Sequence, residues 1–165
     1  MQAVTSQDVA DIDRSVRELS TMPAFLEAAL GRVPPHSMAL RPEGEEFAMV
    51  EQACHLRDVD REGFLLRARR LLAEKDPVLQ PFFGDVVARE RNYLAQDARS
   101  AARDFTLARR ELVAIFAAAS PADFARSGTF AGEPLCLREL LGMVAAHDRE
   151  HRGQIDALLR RLAAP

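Results

Sequence analysis

Tryptophan is absent from the 165 residues, tyrosine occurs once and cysteine twice. Two thiols, Cys54 and Cys136, allow at most one disulfide, so a disulfide-stapled scaffold is excluded and a reducing, cytoplasmic setting is expected. No apolar run approaches the ~20 residues of a bilayer-spanning helix, stretches such as Ala114–Ala119 being far too short. The first residues, Met1-Gln2-Ala3-Val4-Thr5, carry neither a basic nor an apolar segment, so no secretion signal is expected. Charge of one sign is lacking too: 22 Lys and Arg stand against 25 Asp and Glu, a net charge of -3. Without a broad basic surface, neither nucleic acid nor an anionic membrane is an expected partner. What is present is a 48% hydrophobic composition, enough at this length for one buried core and one domain spanning residues 1–165.

Helix-favouring Ala, Leu, Arg and Glu dominate, and no strand pattern stands out. A first helical stretch is expected from Ser6 to Leu30, with Ser6 as N-cap, Gly31 as stop and a kink or fresh start near Thr21 because of Pro23. Residues 32 to 44 read as loop. A second helix is expected from Glu45 to Glu74, ending before Pro77, and a third from Phe83 to Ala119. The third carries an apolar stripe of Phe83, Val87, Leu94, Ala101, Phe105, Ala108, Leu112 and Ile115. Glu90 and Asp97 fall in the gaps of that stripe and are expected to face inward. A loop from Ser120 to Pro134 precedes a fourth helix from Leu137 to Leu162. Four long amphipathic helices define an all-α four-helix bundle.

The four histidines are His36, His55, His147 and His151. His147 and His151 lie four apart in the apolar stripe of the fourth helix, one turn above the other on one face. Buried imidazoles need partners for both ring nitrogens. A shared metal ion satisfies one nitrogen of each, and a hydrogen-bonded pair beside Glu90 and Asp97 is the alternative. His55, on the second helix, would complete a set of three drawn from two helices, which leaves open coordination positions of the catalytic kind. Glu51, Asp58 and Glu62 share its side of the helix and are candidates to orient it or to act as base, ordinary surface charge being the alternative. His36, in a loop, reads as a surface residue.

The segment Phe47-Ala-Met-Val-Glu-Gln-Ala-Cys-His55-Leu-Arg-Asp-Val-Asp60, with His147-Asp-Arg-Glu-His151-Arg-Gly-Gln-Ile155 far downstream, resembles the DinB superfamily. The resemblance runs from about Leu19 to Leu162 and implies a single bundle domain of the DinB/YfiT type. By motif position it implies that His55, His147 and His151 ligate a divalent ion, zinc or nickel, and that the chain is a homodimer. Two positions depart from the pattern: Phe47 stands where Trp is usual, and Cys136 where Ser or Thr precedes the last helix. A thiol there, at a helix N-terminus, has a route to a lowered pKa, although a buried or capping role is the leading reading. Cys54 reads as core.

For function the resemblance implies a metal-dependent enzyme acting on a small molecule, foremost a thiol-dependent S-transferase using a low-molecular-weight thiol. A metal-activated hydrolase and a non-catalytic metal-binding dimer are the alternatives. Glu90 and Asp97 are the candidate catalytic carboxylates, to move protons or orient a ligand. Arg109 and Arg110 read first as solvated charge, with anion binding as the alternative. Phe25 and Leu26 read as core, with self-association as the alternative.

Overall fold

A computed structural model describes residues 6–42 and 47–163; the expected start of the second helix, Glu45, lies outside them. The first expected helix is two, α1 (Ser6–Leu19) and α2 (Met22–Gly31). Ser20 and Thr21 end α1 by donating their hydroxyls back to the Arg17 and Glu18 carbonyls at 2.6 and 2.7 Å. Pro23 opens α2, where its missing N–H costs nothing. The second segment is α3 (Met49–Asp58), a π-helical stretch (Val59–Phe64) and α4 (Leu65–Ala73).

The expected third helix is broken. α5 (Gly84–Glu90) ends, Asn92 turns left-handed at φ 45°, and a 3-10 turn over Tyr93–Ala95 leads to α6 (Ala98–Ala118). The break turns Tyr93, fully buried, into the core, where its hydroxyl donates to Asp58 at 2.6 Å. Phe83 and Leu94, assigned to the apolar stripe, are instead exposed. Asp97 is the N-cap of α6, accepting from the Ser100 backbone N–H at 2.6 Å, and Glu90 is exposed at the end of α5. Neither carboxylate faces inward.

The short α7 (Pro121–Phe124) follows, and α8 (Leu137–Leu162) completes the bundle. The segments α1–α2, α3–α4, α6 and α8 are its four limbs; α3 packs chiefly on α6, and α8 on α1 and α2. The sequence pattern missed a small sheet at one end. β1 (Val78–Leu79) pairs in parallel with β2 (Ser127–Phe130), which pairs antiparallel with β3 (Glu133–Cys136). The β2–β3 turn places both Ala131 and Gly132 at positive φ, as a tight hairpin requires. Among the described residues no helix is long and apolar enough to cross a membrane.

Two apolar clusters form the core. One gathers Met22, Leu26, Met49, Leu56, Phe105, Ile155 and Leu158, the other Leu19, Leu65, Leu71, Leu112, Phe116, Leu140 and Val144. Along three of the four limbs the change from one cluster to the other is marked by a buried polar residue: Asp60 after Leu56, Arg109 between Phe105 and Leu112, Asp148 between Val144 and Ile155. Arg109, expected in water, is 1% exposed. It donates to Asp60 at 2.7 and 3.0 Å, to Asp148 at 2.5 and 2.8 Å, and to the Leu19 carbonyl at 3.2 Å. Burial pushes the Asp60 carboxyl up to about 6 against the pull of Arg109, and it raises Asp148 as well.

Removing only the cation would leave two buried carboxylates facing each other. Arg109→Met is expected to lower the unfolding free energy in urea by about 3–5 kcal/mol. Replacing all three members by Leu or Met should recover most of that loss. A loss below about 1 kcal/mol for the single variant would show that this polar layer does not hold the limbs together.

Candidate metal centre

Two limbs of the bundle meet at the histidines. His55 lies on α3, one turn before the π-helical stretch, and His147 and His151 lie one turn apart on α8. One ligand nitrogen of each falls within 4.8 Å of the other two. The Nε2 atoms of His55 and His147 are 3.1 Å apart. The ring centroids of His151 stand 4.7 Å from His55 and 4.3 Å from His147.

Burial pushes all three imidazoles below their ordinary pKa, His55 to about 4, His147 to about 2 and His151 to about 3. Each is therefore neutral at pH 7 and keeps a lone pair, as a ligand must. His151 Nδ1 meets the Gln52 amide oxygen at 2.7 Å, while the Gln52 amide nitrogen donates to Gln154. That fixes His151 as an Nδ1–H tautomer with Nε2 free for the cluster. Nδ1 of His55 and Nδ1 of His147 are buried with no hydrogen-bond partner among the described residues. The imidazoles cannot satisfy one another, because three neutral rings carry more donors and acceptors than their mutual contacts consume.

The donor set fits a divalent cation. Nitrogens held about 2.0–2.1 Å from one tetrahedral ion lie about 3.3 Å apart, close to the His55–His147 separation. The surrounding walls are apolar. Phe47 and Phe82 pack on His55 with centroids 5.5 and 6.2 Å away, and Phe64 meets His147 edge-on at 5.3 Å. Gly84, at the start of α5, closes the remaining side: a Cβ there would lie 2.4 Å from His55 Cε1 and 2.7 Å from its Nδ1. Phe47 also lines a surface cleft of about 410 Å³, with Arg41, Asp85, Arg89 and Asn92 on its other walls.

The carboxylates expected beside the histidines are engaged elsewhere. Glu90 and Asp97 make no contact with the cluster, and the Asp97 cap was legible as an Asp directly before a helical run. Glu51 pairs with Arg41 and accepts the Ala48 N–H at 2.8 Å. Asp58 accepts from Arg57 at 2.6 Å, Arg91 at 2.8 Å and Tyr93; against the cost of burial these bonds hold it below its ordinary pKa. It acts on His55 only through its charge. Glu62 is exposed and paired with Arg91.

Cys136 does occupy the N-cap of α8, its N–H donating to Glu139 at 2.8 Å, but burial raises its thiol instead of the helix end lowering it. Cys54 is core, pushed up to about 11 by burial. His36 is exposed in a 3-10 turn, Arg110 is exposed, Leu26 is core, and Phe25 is half-covered by Arg152, 4.5 Å above its ring.

Because only glycine fits between α5 and His55, Gly84→Ala is expected to displace that imidazole. Zinc affinity measured by competition with a chromophoric chelator should fall at least about tenfold, the size of loss seen when groups that orient a ligand are disturbed. Unchanged affinity would show that the position of His55 does not depend on α5.

The model of the DinB superfamily matches residues 18–155. No curated protein matches the chain in sequence. Among solved structures, the chain is similar to YfiT from Bacillus subtilis, described as a probable metal-dependent hydrolase with an unusual four-helix bundle topology. That likeness has a TM-score of 0.86 at 17% identity, covering 100% of this chain and 93% of YfiT, and it extends to the fold. With more than half of its length matched by the family model and its fold shared with a DinB-like bundle, this chain belongs to the DinB superfamily.

Proposed function

We propose that the protein is a divalent-metal-dependent enzyme for a small-molecule substrate, with His55, His147 and His151 as the ligands and hydrolysis as its reaction. The observation that carries this reading is the cluster of three neutral, buried imidazoles, on two helices, whose nitrogens converge on one point. The description of YfiT as a probable metal-dependent hydrolase supports it. Zinc or nickel suits an all-imidazole site. When bound, the ion supplies Lewis acidity at a position the protein leaves open, where the pKa of water or of a thiol falls.

The chain's own residues do the rest. Gln52 holds His151 in one tautomer and orientation. Phe47, Phe64 and Phe82 exclude water, so charges at the site interact through a low dielectric. The cleft beside Phe47 is the approach for a small molecule.

S-transfer with a low-molecular-weight thiol is the second reading, favoured by the state of the nearby carboxylates. Glu51 and Asp58 are both tied to arginines, so neither is a free general base. An external thiol acidified at the metal would not require one, and the protein's own thiols are raised, not lowered, in pKa.

Elemental analysis of purified protein should find about one divalent ion per chain, lost in His147→Ala. Unchanged metal content in that variant would remove the ligand assignment. Chelation should abolish turnover of p-nitrophenyl acetate on the hydrolase reading. On the transferase reading it should abolish conjugation of monochlorobimane by glutathione, bacillithiol or mycothiol. Retention of any such activity after complete metal removal would sink the metal-dependent readings.

A further inference from the structure

Two arginines are among the buried charged residues, and they are treated in opposite ways. Arg109 is met by two carboxylates. Arg67, on α4 and 5% exposed, is met by none among the described residues. Its Nε and Nη2 donate to one neutral acceptor, the Gln80 carbonyl, at 3.1 and 3.0 Å. Its guanidinium stacks over Phe130 at 4.5 Å and Phe64 at 5.8 Å. Nη1 makes no hydrogen bond among the described residues and borders Gly63. Removing a cation from water without a counter-charge is costly, and proteins normally pair such groups.

Gly63 adds an independent observation. A Cβ there would lie 3.4 Å from Val59, 3.6 Å from Phe82 Cβ and 3.8 Å from Arg67 Nη1, all ordinary contacts. Packing therefore does not require glycine within this helical limb, where glycine is unfavourable. What its absent side chain preserves is room beside the unbonded nitrogen. That room is one aromatic ring away from the histidines: Phe64, under the Arg67 guanidinium, meets His147 edge-on, and Phe82, bordering Gly63, packs on His55.

We propose that Arg67 is a substrate-binding residue that takes an anionic group, a carboxylate, on a small molecule whose reacting end lies at the three histidines. The Gln80 carbonyl fixes the plane of the guanidinium, Nη1 presents its two N–H bonds beside Gly63, and the body of the substrate lies along Phe64 and Phe82. The proposal rests on the metal-site reading above and names the substrate class for that site.

Its test is calorimetric titration of the zinc-loaded protein with the monohydroxamates of succinic, glutaric, adipic and suberic acids, each compared with its neutral terminal carboxamide. The hydroxamate end seeks the metal, and only the acid offers a carboxylate to Arg67. At the chain length that spans the two sites, the acid should bind about tenfold or more tighter than the amide, as a charge-assisted hydrogen bond allows. Arg67→Met and Gly63→Ala should each erase that preference, so that acid and amide of every length bind alike. Gly63→Ala decides the matter should Arg67→Met fail to fold, since its Cβ fits. Equal binding of acid and amide at every length, or a preference that survives both substitutions, overturns this proposal alone. Absence of zinc uptake, or of binding by any hydroxamate, overturns the metal-site reading and this proposal with it.

Discussion

The ion cluster of Arg109 with Asp60 and Asp148 is the constraint on which the remaining geometry depends. From α6 one guanidinium bonds the π-helical stretch and α8, and it reaches the Leu19 carbonyl at the end of α1 as well. Hydrocarbon contacts tolerate sliding of one helix past another by a fraction of a turn. A forked hydrogen-bond pattern with two carboxylates does not. Asp148 directly follows His147, and Asp60 lies five residues after His55. The same bonds that align α8 with the second limb therefore set the height at which the imidazoles meet.

The π-helical stretch gives that alignment its rotation. Leu65 N–H reaches back five residues to the Asp60 carbonyl, so the limb carries one residue more than a regular helix would. Residues before the stretch and residues after it are consequently turned relative to each other. His55 faces α8 from the first part, while Phe64 from the second packs on His147 and Arg67 lies over the Phe64 ring. An uninterrupted α-helix would trade these faces. The interruption between α5 and α6 works in a similar way, since it brings Tyr93 onto Asp58 and frees the start of α5 to close on His55 through Gly84.

These two irregularities also mark where the sequence stopped being legible. The bundle, the break near Pro23, the stop at Gly31 and the pairing of His147 with His151 follow from local chemistry: proline geometry, glycine at a helix end, and imidazoles at helical spacing within an apolar stripe; His55 joins them through the resemblance to the DinB superfamily. A π-helical stretch has no such local signature, because Val59–Phe64 could equally have continued an α-helix. The break at Asn92 was hidden by Glu90 and Asp97, whose places in an imagined continuous stripe gave them an inward direction that the real backbone does not. Arg109 was read as solvated because burial of arginine depends on two aspartates from distant segments, 49 and 39 residues away. The small sheet escaped notice because strands of two and four residues, one containing Gly128 and another Pro134, leave no alternation to detect.

Desolvation links the fold to the chemistry. The apolar walls that exclude water from His55, His147 and His151 make their protonated forms unfavourable and hold them as neutral rings. In the same dry volume, each unmet nitrogen is a cost that hydration cannot relieve. A cation would instead take up the lone pairs that converge at the centre of the cluster, whereas protons competing for those nitrogens are disfavoured by the burial itself. A core of purely hydrocarbon side chains would have been easier to fold. The polar layer at its middle makes sense if binding at the histidines returns part of what the fold gives up to bury them.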